Sequence, residues 1–339
     1  MKVLLFLNGP EGYQTGIEDG FNFLLSAGKI STLKWFYFND FAAKNSEIAS
    51  KNKMIDLALK FQPDLIVFFH IGSFSIDEKF ILEFKRLNSQ PILGYDEGDM
   101  YGGWSKPITK KMKGIMGSVD IVSIRGLGKF YDLVKKINKN LIYVPHSNSL
   151  YRFSKGLKLP QQRDSKVIFM GNRVTSRFGN LVRLSGALGR EKLVYSLTKE
   201  LPNRLNVYGK GWANLITNKG HYKFHEQIDV CSKSWIHVSF EHYPEIPYYF
   251  SDRLPIALAS GQIYVCHYHE GYENIFNGCD FIYFFRSNKE ALDIINYLNS
   301  LSKDELYKKS VKAKAFSETY LSPTVVWNNF FEKCKELKK

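Results

Sequence analysis

Short apolar runs alternate with segments of helical periodicity along most of the chain. Such runs occupy residues 3–7, 33–38, 64–69, 91–95, 121–124, 141–144, 167–170, 205–208, 236–240, 262–268 and 279–285. Strands this short and this apolar, separated by amphipathic helices, are typical of a parallel sheet buried between two layers of helices. The sequence therefore predicts an α/β fold of the doubly wound type.

The alternation is interrupted near the middle of the chain, which has 339 residues and so has room for two domains. Residues 145–165 are polar, contain prolines and lack a clear period, as expected of an interdomain crossing. We predict a first Rossmann-like domain over residues 1–150, a second over 151–320 and a C-terminal helix over 321–339. Within the first, Ser75 and Glu78 predict a capping box at the start of a helix.

Charge and cysteine content limit the class of protein. The formal net charge of +14 favours polyanionic partners such as nucleic acid, phosphorylated substrates or an anionic membrane surface, although a plain basic surface is the alternative. The four cysteines show no C-x-x-C pairing, which favours reduced thiols in a cytoplasmic protein. A basic amphipathic segment at 106–113 suggests a peripheral position on the inner face of the cell membrane, with a solvated lysine face as the alternative.

Residues 236–275 place two strand-loop-helix units in succession. The first strand leads through a charged, aromatic loop to a helix that begins near Ser251 and carries Arg253; the second leads into a turn at 269–273. Carboxyl ends of parallel strands meet at one edge, where doubly wound folds bind ligands. Helix N-termini and a guanidinium fork at that edge suit a phosphate. The alternative is an ordinary half-domain without a ligand.

The same stretch carries a family resemblance. S-D-R-x-x-x-x-x-A-S-G at 251–261 and E-G-Y-E-x-x-F at 270–276 resemble the C-terminal half of CgeB-like glycosyltransferases. Those enzymes belong to the GT-B group, which transfers sugars from nucleotide-sugar donors. The resemblance covers roughly residues 166–300 and is only architectural over the first 150. It implies a GT-B fold: two Rossmann-like domains facing across a cleft, with the acceptor on the first, the donor on the second and the last helix crossing back.

The resemblance also implies a set of donor-binding residues. They are Gly171, Asn172, Arg173, Arg177, Tyr208, Gly209, Lys210, Gly211, Trp212, His225, Ser251, Asp252, Arg253, Glu270, Gly271, Tyr272 and Glu273. Trp212 could instead pack beneath its loop, and the acids at 270 and 273 could simply cap a helix. The chain departs from the group in lacking two glutamates separated by seven residues, and Ile256 stands where the family often has a glutamate. The sugar contacts and the stereochemistry of transfer therefore stay open.

Candidate catalytic groups follow the strands of the first domain. Asp96, Glu97 and Asp99 close the strand at 91–95, and His70 ends the strand at 64–69. A carboxylate or imidazole there could remove the proton from an acceptor hydroxyl. Asp96 is our first choice because it lies closest to the strand end. A solvated acidic loop and a structural histidine are the alternatives.

The loop after the first strand contains Gly9, Glu11 and Gly12. Its glycines allow a ligand to approach the backbone closely. The spacing is not that of the dinucleotide-binding fingerprint G-x-G-x-x-G. In GT-B enzymes this loop faces the cleft, so we assign it to the acceptor or the cleft, with a plain turn as the alternative.

The combined prediction is a glycosyltransferase that moves a sugar from a UDP- or GDP-type nucleotide sugar to a hydroxyl of a bacterial surface glycan or lipid-linked acceptor. We expect no tightly bound cofactor. We also expect no metal, because His267 and His269 lack a third ligand at diagnostic spacing. The alternatives are a GT-B-type epimerase, a polyol-phosphate transferase, or a non-catalytic glycan- or nucleic-acid-binding protein. The sequence contains no nucleic-acid-binding motif, so nucleic acid is not an expected partner.

Overall fold

The structure is a computed structural model that describes residues 1–12, 15–101, 106–149, 163–174, 184–223 and 226–338. It divides into two compact units. Unit 1 comprises residues 1–146 together with 323–339, and unit 2 comprises residues 147–322. The last helix therefore belongs to the unit in which the chain began.

Unit 1 is built on a six-stranded parallel sheet in the order β2-β1-β3-β4-β5-β6. Its strands are β1 (Lys2–Leu7), β2 (Thr32–Tyr37), β3 (Leu65–Phe69), β4 (Ile92–Glu97), β5 (Ile121–Ile124) and β6 (Leu141–Tyr143). Its helices are α1 (Thr15–Ser26), α2 (Phe38–Lys44), α3 (Glu47–Phe61), α4 (Glu78–Phe84), α5 (Lys110–Ser118), α6 (Lys129–Lys135) and, from the end of the chain, α13 (Pro323–Glu336). The central strands β1 and β3 are buried on both faces, as their continuous apolar sequences predict.

The last helix is held in unit 1 by aromatic packing. Trp327 contacts the rings of Phe21 and Phe69, and Phe330 packs against Trp327. Gly20 on α1 permits this approach, since a Cβ at that position would lie 2.4 Å from the Trp327 ring. Burial of such large rings stabilises the contact between α1 and α13 strongly.

Two local predictions in unit 1 were wrong. The side chain that caps α4 belongs to Asp77, which accepts a hydrogen bond from the backbone N–H of Phe80 at 3.0 Å, so Ser75 forms no capping box. Strand β4 also continues through Asp96 and Glu97 instead of ending at Tyr95. Neighbouring side chains satisfy both carboxylates, so the strand can carry them into the interior.

Unit 2 is built on a five-stranded parallel sheet in the order β11-β10-β9-β7-β8. Its strands are β7 (Asp164–Met170), β8 (Leu205–Tyr208), β9 (Ser234–Ser239), β10 (Ile263–His267) and β11 (Ile282–Phe285). Its helices are α7 (Ala187–Glu200), α8 (Gln227–Ser232), α9 (Arg253–Ala259), α10 (Tyr272–Ile275), α11 (Asn288–Ser300) and α12 (Lys303–Tyr320). Ser302 and Glu305 form a capping box before α12.

The two sheets confirm the predicted α/β fold with parallel strands and flanking helices. In unit 2 the chain passes from β7 to β8 on one side and then to β9 on the other side of β7. The carboxyl ends of β7 and β9 therefore form a topological switch point, where doubly wound folds bind ligands. In the described part of the chain, none of the helices is long and apolar enough to cross a membrane.

Candidate functional site

Arg190 on α7 connects the loops that leave the switch point of unit 2. Its Nε and Nη2 donate to the carbonyl of Phe240 at 2.9 and 2.7 Å, and Nη1 donates to the carbonyl of Asn172 at 3.3 Å and to Nε2 of His242 at 2.7 Å. Burial, and then the charge of Arg253, lower the pKa of Arg190 to about 9, so it stays protonated at neutral pH. Arg190 was absent from the predicted site, because an arginine within a helix carries no positional signal of its own.

A buried ion pair joins the end of β9 to the start of α9. Glu241 Oε2 lies 2.6 Å from Nη2 of Arg253, and the Ser251 hydroxyl donates to Oε1 at 3.1 Å. Burial favours the neutral acid, but the charges of Arg253 and Arg190 outweigh it and lower the pKa of Glu241 to about 2. The same carboxylate raises the pKa of Arg253 against the effect of burial. Both groups are therefore charged at neutral pH.

The guanidinium of Arg253 is held but not fully covered. Its side chain is 14% exposed, whereas that of Glu241 is 1% exposed. Within the part of the chain that the structure describes, Nη2 is the only nitrogen of this guanidinium that donates to another residue. The remaining N–H donors can bind an anion at the carboxyl edge of the sheet.

Two glycine loops meet at the ends of β7 and β8. The backbone N–H of Gly171 donates to the carbonyl of Tyr208, and that of Lys210 donates to Oδ1 of Asn172 at 2.8 Å. Gly209 has φ +141°, and a Cβ there would lie 2.3 Å from the carbonyl oxygen of Gly171. Only glycine fits this crossing, which brings two backbones together at the ligand edge.

The other predicted residues of these loops have distinct roles. Trp212 is buried beneath the loop and donates from Nε1 to the carbonyl of Gly171 at 2.8 Å. It therefore packs under its loop, the alternative to donor contact given above. Gly211 has φ +87° and packs closely against Arg173, which is paired with Glu191. Arg177 and His225 lie outside the described residues.

The turn before α10 presents carboxylates and hides its aromatic ring. Glu270 and Glu273 are exposed, and Glu273 accepts from the Tyr268 hydroxyl at 2.9 Å. Tyr272 is buried and stacks on His269 with ring centroids 4.9 Å apart. Gly271 has φ +90°, a left-handed conformation that favours glycine.

The remaining predicted donor residues lie immediately before α9. Ser251 is buried and its hydroxyl is bound to Glu241, whereas Asp252 is exposed. Ile256, at the position where the resembled family often has a glutamate, lies in an apolar cluster with Ile168 and Met170. That position therefore belongs to the buried apolar core of unit 2.

In unit 1, His70 and Glu97 form a hydrogen-bonded dyad where β3 and β4 end. Nδ1 of His70 lies 2.5 Å from Oε1 of Glu97, whose other oxygen accepts from the Tyr95 hydroxyl at 2.5 Å. Nε2 lies 3.9 Å from Asp99. Burial opposes protonation of the imidazole, but the hydrogen bond to Glu97 and the charges of Glu97 and Asp99 raise the pKa of His70 above its usual value. Since a carboxylate accepts at Nδ1, the neutral ring leaves Nε2 free of its proton.

Asp96 has a different environment. Its Oδ2 lies 2.6 Å from Nη2 of Arg125, and its Oδ1 accepts from the Ser123 hydroxyl at 2.5 Å. Both residues of the ion pair are buried. With both oxygens engaged inside the sheet, Asp96 fits a structural ion pair better than a proton acceptor.

The loop after β1 also lies at the carboxyl edge of unit 1. Gly9 is buried, whereas Glu11 and Gly12 are exposed in a turn with φ +78° at Gly12. Asn39 donates from Nδ2 to the carbonyl of Asn8 at 2.7 Å and fixes the start of the loop. The structure brings Gly9 to the switch point between β1 and β3, beside the strand that ends at His70.

No cluster of three His, Cys, Asp or Glu side chains suited to a metal ion exists among the residues described here. The rings of His267 and His269 lie 6.1 Å apart. Burial lowers the pKa of both, that of His269 to about 4.

Comparisons with known proteins find a matching family model and several similar structures. Residues 190–321 match the family model described as glycosyl transferase-like, and no curated protein matches the sequence. The chain is similar in structure to a glycosyltransferase from Rickettsia africae, with TM-score 0.63 and 14% identity over 100% of this chain and 98% of that one. It is also similar to Anabaena HepE in complex with UDP and glucose, with TM-score 0.61 and 12% identity over 99% of both chains.

A third similar structure is the Escherichia coli trehalose-6-phosphate protein bound with UDP-2-fluoro glucose. Its TM-score is 0.65, with 9% identity over 99% of both chains. The neighbours share the GT-B fold, so the chain has that fold as well. The CgeB-like assignment itself has no support beyond the motifs. The matched domain indicates glycosyl transfer as the general activity, and the neighbours show the fold.

Proposed function

We propose that the protein transfers a sugar from a nucleoside-diphosphate donor to a hydroxyl of a bacterial surface glycan or a lipid-linked acceptor. The observation that carries the proposal is the buried Glu241–Arg253 pair at the switch point of unit 2. A fixed, partly exposed guanidinium at the same sheet edge as two glycine loops suits a leaving diphosphate, whose charge increases as the glycosidic bond breaks.

In this proposal, unit 2 binds the donor. Arg253 binds the diphosphate, and Lys210 supplies a second cation from the loop that crosses Gly171. Glu241 and Arg190 do not touch the donor but fix Arg253 and the loop backbones. Groups that are fixed before binding stabilise developing charge without the cost of reorganising. The neighbours that bind UDP or UDP-glucose favour a UDP-type donor.

Unit 1 supplies the proton acceptor. Glu97 orients His70 through Nδ1, so Nε2 can take the proton of the attacking acceptor hydroxyl. The pairing follows the logic by which a buried carboxylate fixes the tautomer of a histidine base and stabilises the imidazolium. His70 is therefore our choice of base, in preference to Asp96.

Unit 1 also carries a basic surface that fits an anionic membrane. Residues 106–140 contain nine Lys and Arg residues against two Asp residues. One of the nine, Arg125, is buried in its pair with Asp96, and the other eight are lysines. Lys110, Lys113, Lys129, Lys136 and Lys139 are exposed on or just after α5 and α6. Asn138, just after α6, donates from Nδ2 to the carbonyls of Met116 and Val119 and ties the segment after α6 to the end of α5. A charged face of this kind would bring the enzyme to a lipid-linked acceptor.

The donor proposal is tested by thermal stability against UDP-, GDP-, CMP- and dTDP-linked sugars, with Arg253→Ala in parallel. We expect one donor to raise the melting temperature of the wild type and to have little effect on the variant. Absence of a shift with every donor, or an equal shift in the variant, contradicts the diphosphate site.

The membrane proposal is tested by cosedimentation with phosphatidylglycerol and phosphatidylcholine vesicles. Binding to the anionic vesicles should fall in Lys110→Glu/Lys113→Glu, and equal binding to both lipids contradicts it.

A further inference from the structure

Tyr248 has a backbone conformation that is unfavourable for its side chain. Its φ is +61°, in the left-handed region, where the Cβ of an L-residue crowds the backbone. Such strain persists only where the surroundings enforce it, and strained residues concentrate at ligand sites. Tyr248 lies in the loop between β9 and α9, which leads directly to Ser251 and Arg253.

The turn before α10 enforces this conformation. The backbone N–H of Tyr248 donates to the carbonyl of Glu270 at 2.8 Å, and its hydroxyl accepts from Nδ2 of Asn274 at 2.7 Å. The ring lies directly over Gly271, where a Cβ would come within 2.3 Å of it. The Tyr248 ring can therefore take this position only because residue 271 is a glycine.

The neighbouring residues bind the same turn. The Tyr272 hydroxyl donates to the carbonyl of Tyr249 at 2.7 Å, and Nδ1 of His269 lies 3.5 Å from the carbonyl of Ile246. Residues 246–249 and 269–274 are thus joined through backbone and side-chain groups at several points. One segment continues into Arg253, and the other carries Glu270 and Glu273.

We infer that Tyr248 is a positioning residue for donor binding. Its ring, seated on Gly271, locks the loop at 246–249 to the turn at 269–274, so that Arg253 and the exposed acids are correctly spaced before the donor arrives. Fixing both segments in the free protein removes an ordering cost from binding. The inference rests on the proposed function, because it assigns a role within the same donor site.

A pair of glycine variants separates the ring contact from backbone strain. Gly271 and Gly278 both have positive φ, +90° and +72°, but a Cβ at Gly278 meets nothing within 4 Å. Gly271→Ala and Gly278→Ala therefore share the strain, and only Gly271→Ala displaces the ring. Titration calorimetry with the donor that gives the largest shift in the panel should show roughly tenfold weaker binding for Gly271→Ala, since several residues must then be ordered on binding. Gly278→Ala should bind like the wild type.

Two Tyr248 variants distinguish the loss of the ring contact from a general folding defect. Tyr248→Phe keeps the ring over Gly271 but loses the hydrogen bond from Asn274, so it should weaken donor binding less than Gly271→Ala does. In a Tyr248→Ala background the ring is gone, so adding Gly271→Ala should weaken binding no more than adding Gly278→Ala does.

The outcomes are distinct. Equal donor affinity of Gly271→Ala and Gly278→Ala overturns the inference. So does a loss of thermal stability in Gly271→Ala without a change in affinity, because that pattern belongs to a merely structural contact. If the wild type itself binds none of the donors, the proposed function fails first and the inference fails with it.

Discussion

Replacement of Glu241 by Gln tests the electrostatics of the donor site without changing the shape of the side chain. The variant leaves the guanidinium of Arg253 in a mostly buried position without its counter-charge. Removing one partner of a buried ion pair costs about 3–5 kcal/mol, and the 14% exposure of Arg253 favours the lower value. A carboxyl whose pKa falls from 4.5 to about 2 on folding contributes about 3 kcal/mol at neutral pH, which agrees.

The pH dependence follows from the sign of the shift. Because folding lowers the pKa of Glu241, its contribution is present above about pH 4.5 and is lost as the pH falls toward about 2. The wild type should therefore exceed Glu241→Gln in unfolding free energy by about 3 kcal/mol at pH 7. In melting temperature this is about 6–12 °C for a unit of this size. The difference should shrink steadily below pH 4.5, because the carboxyl group then binds a proton in the unfolded chain while it is still ionised in the folded protein.

Urea unfolding from pH 3 to pH 7, followed by circular dichroism, measures this difference. Glu270→Gln is the matched control, because it removes an exposed carboxylate from the same edge of unit 2. The control should change stability by less than about 0.5 kcal/mol. A cost for Glu241→Gln that is constant with pH, or as small as that of the control, would refute the assignment of Glu241 as a charged, buried partner of Arg253.

Three further predictions concern other parts of the structure. Asp96→Asn should lower the unfolding free energy by about 3 kcal/mol in the same urea titrations, because Arg125 would be buried without a partner. Asp99 lies 2.6 Å from Nζ of Lys106 and is half exposed, so Asp99→Asn should lower the unfolding free energy by less than about 1 kcal/mol. Gly209→Ala should lower the unfolding free energy by about 3 kcal/mol, because of its positive φ and the clash with the Gly171 carbonyl. Gly220 also has a positive φ but open space around it, so Gly220→Ala should lower the unfolding free energy by only about 1 kcal/mol. Equal melting temperatures of the two variants would exclude the clash. If His70 is the base, kcat/KM should rise with pH through a pKa above 6.5, and Asp99→Asn should move that inflection to lower pH; an unchanged profile argues against His70.

The order of strands and helices could be predicted from the sequence because apolar runs and helical periods report burial directly. The buried strands β1 and β3 show this best, since nearly every residue in them is apolar. Strand β4 shows the limit. Its last residues, Asp96 and Glu97, suggest a loop by composition, and only their distant partners make them compatible with a strand.

The candidate site was less predictable for the same reason. Glycine spacing and Arg253 indicated the ligand edge, because those residues act through local conformation and charge. Glu241 and Arg190 act through contacts with residues distant in sequence, so no local pattern distinguishes them. Tyr248 is harder still, because its role depends on the absence of a side chain at Gly271.

The central claim is most directly tested by ³¹P NMR of UDP-glucose, or of the donor selected by the stability panel, incubated with the protein and a lipid and glycan extract from bacterial envelopes. The account predicts that nucleoside-diphosphate resonances appear with the wild type and are strongly reduced with Arg253→Ala. An isomerised sugar with its diphosphate intact would indicate an epimerase. Transfer of the phosphate together with its substituent would indicate a polyol-phosphate transferase. An unchanged donor, or equal turnover by Arg253→Ala, would contradict the account.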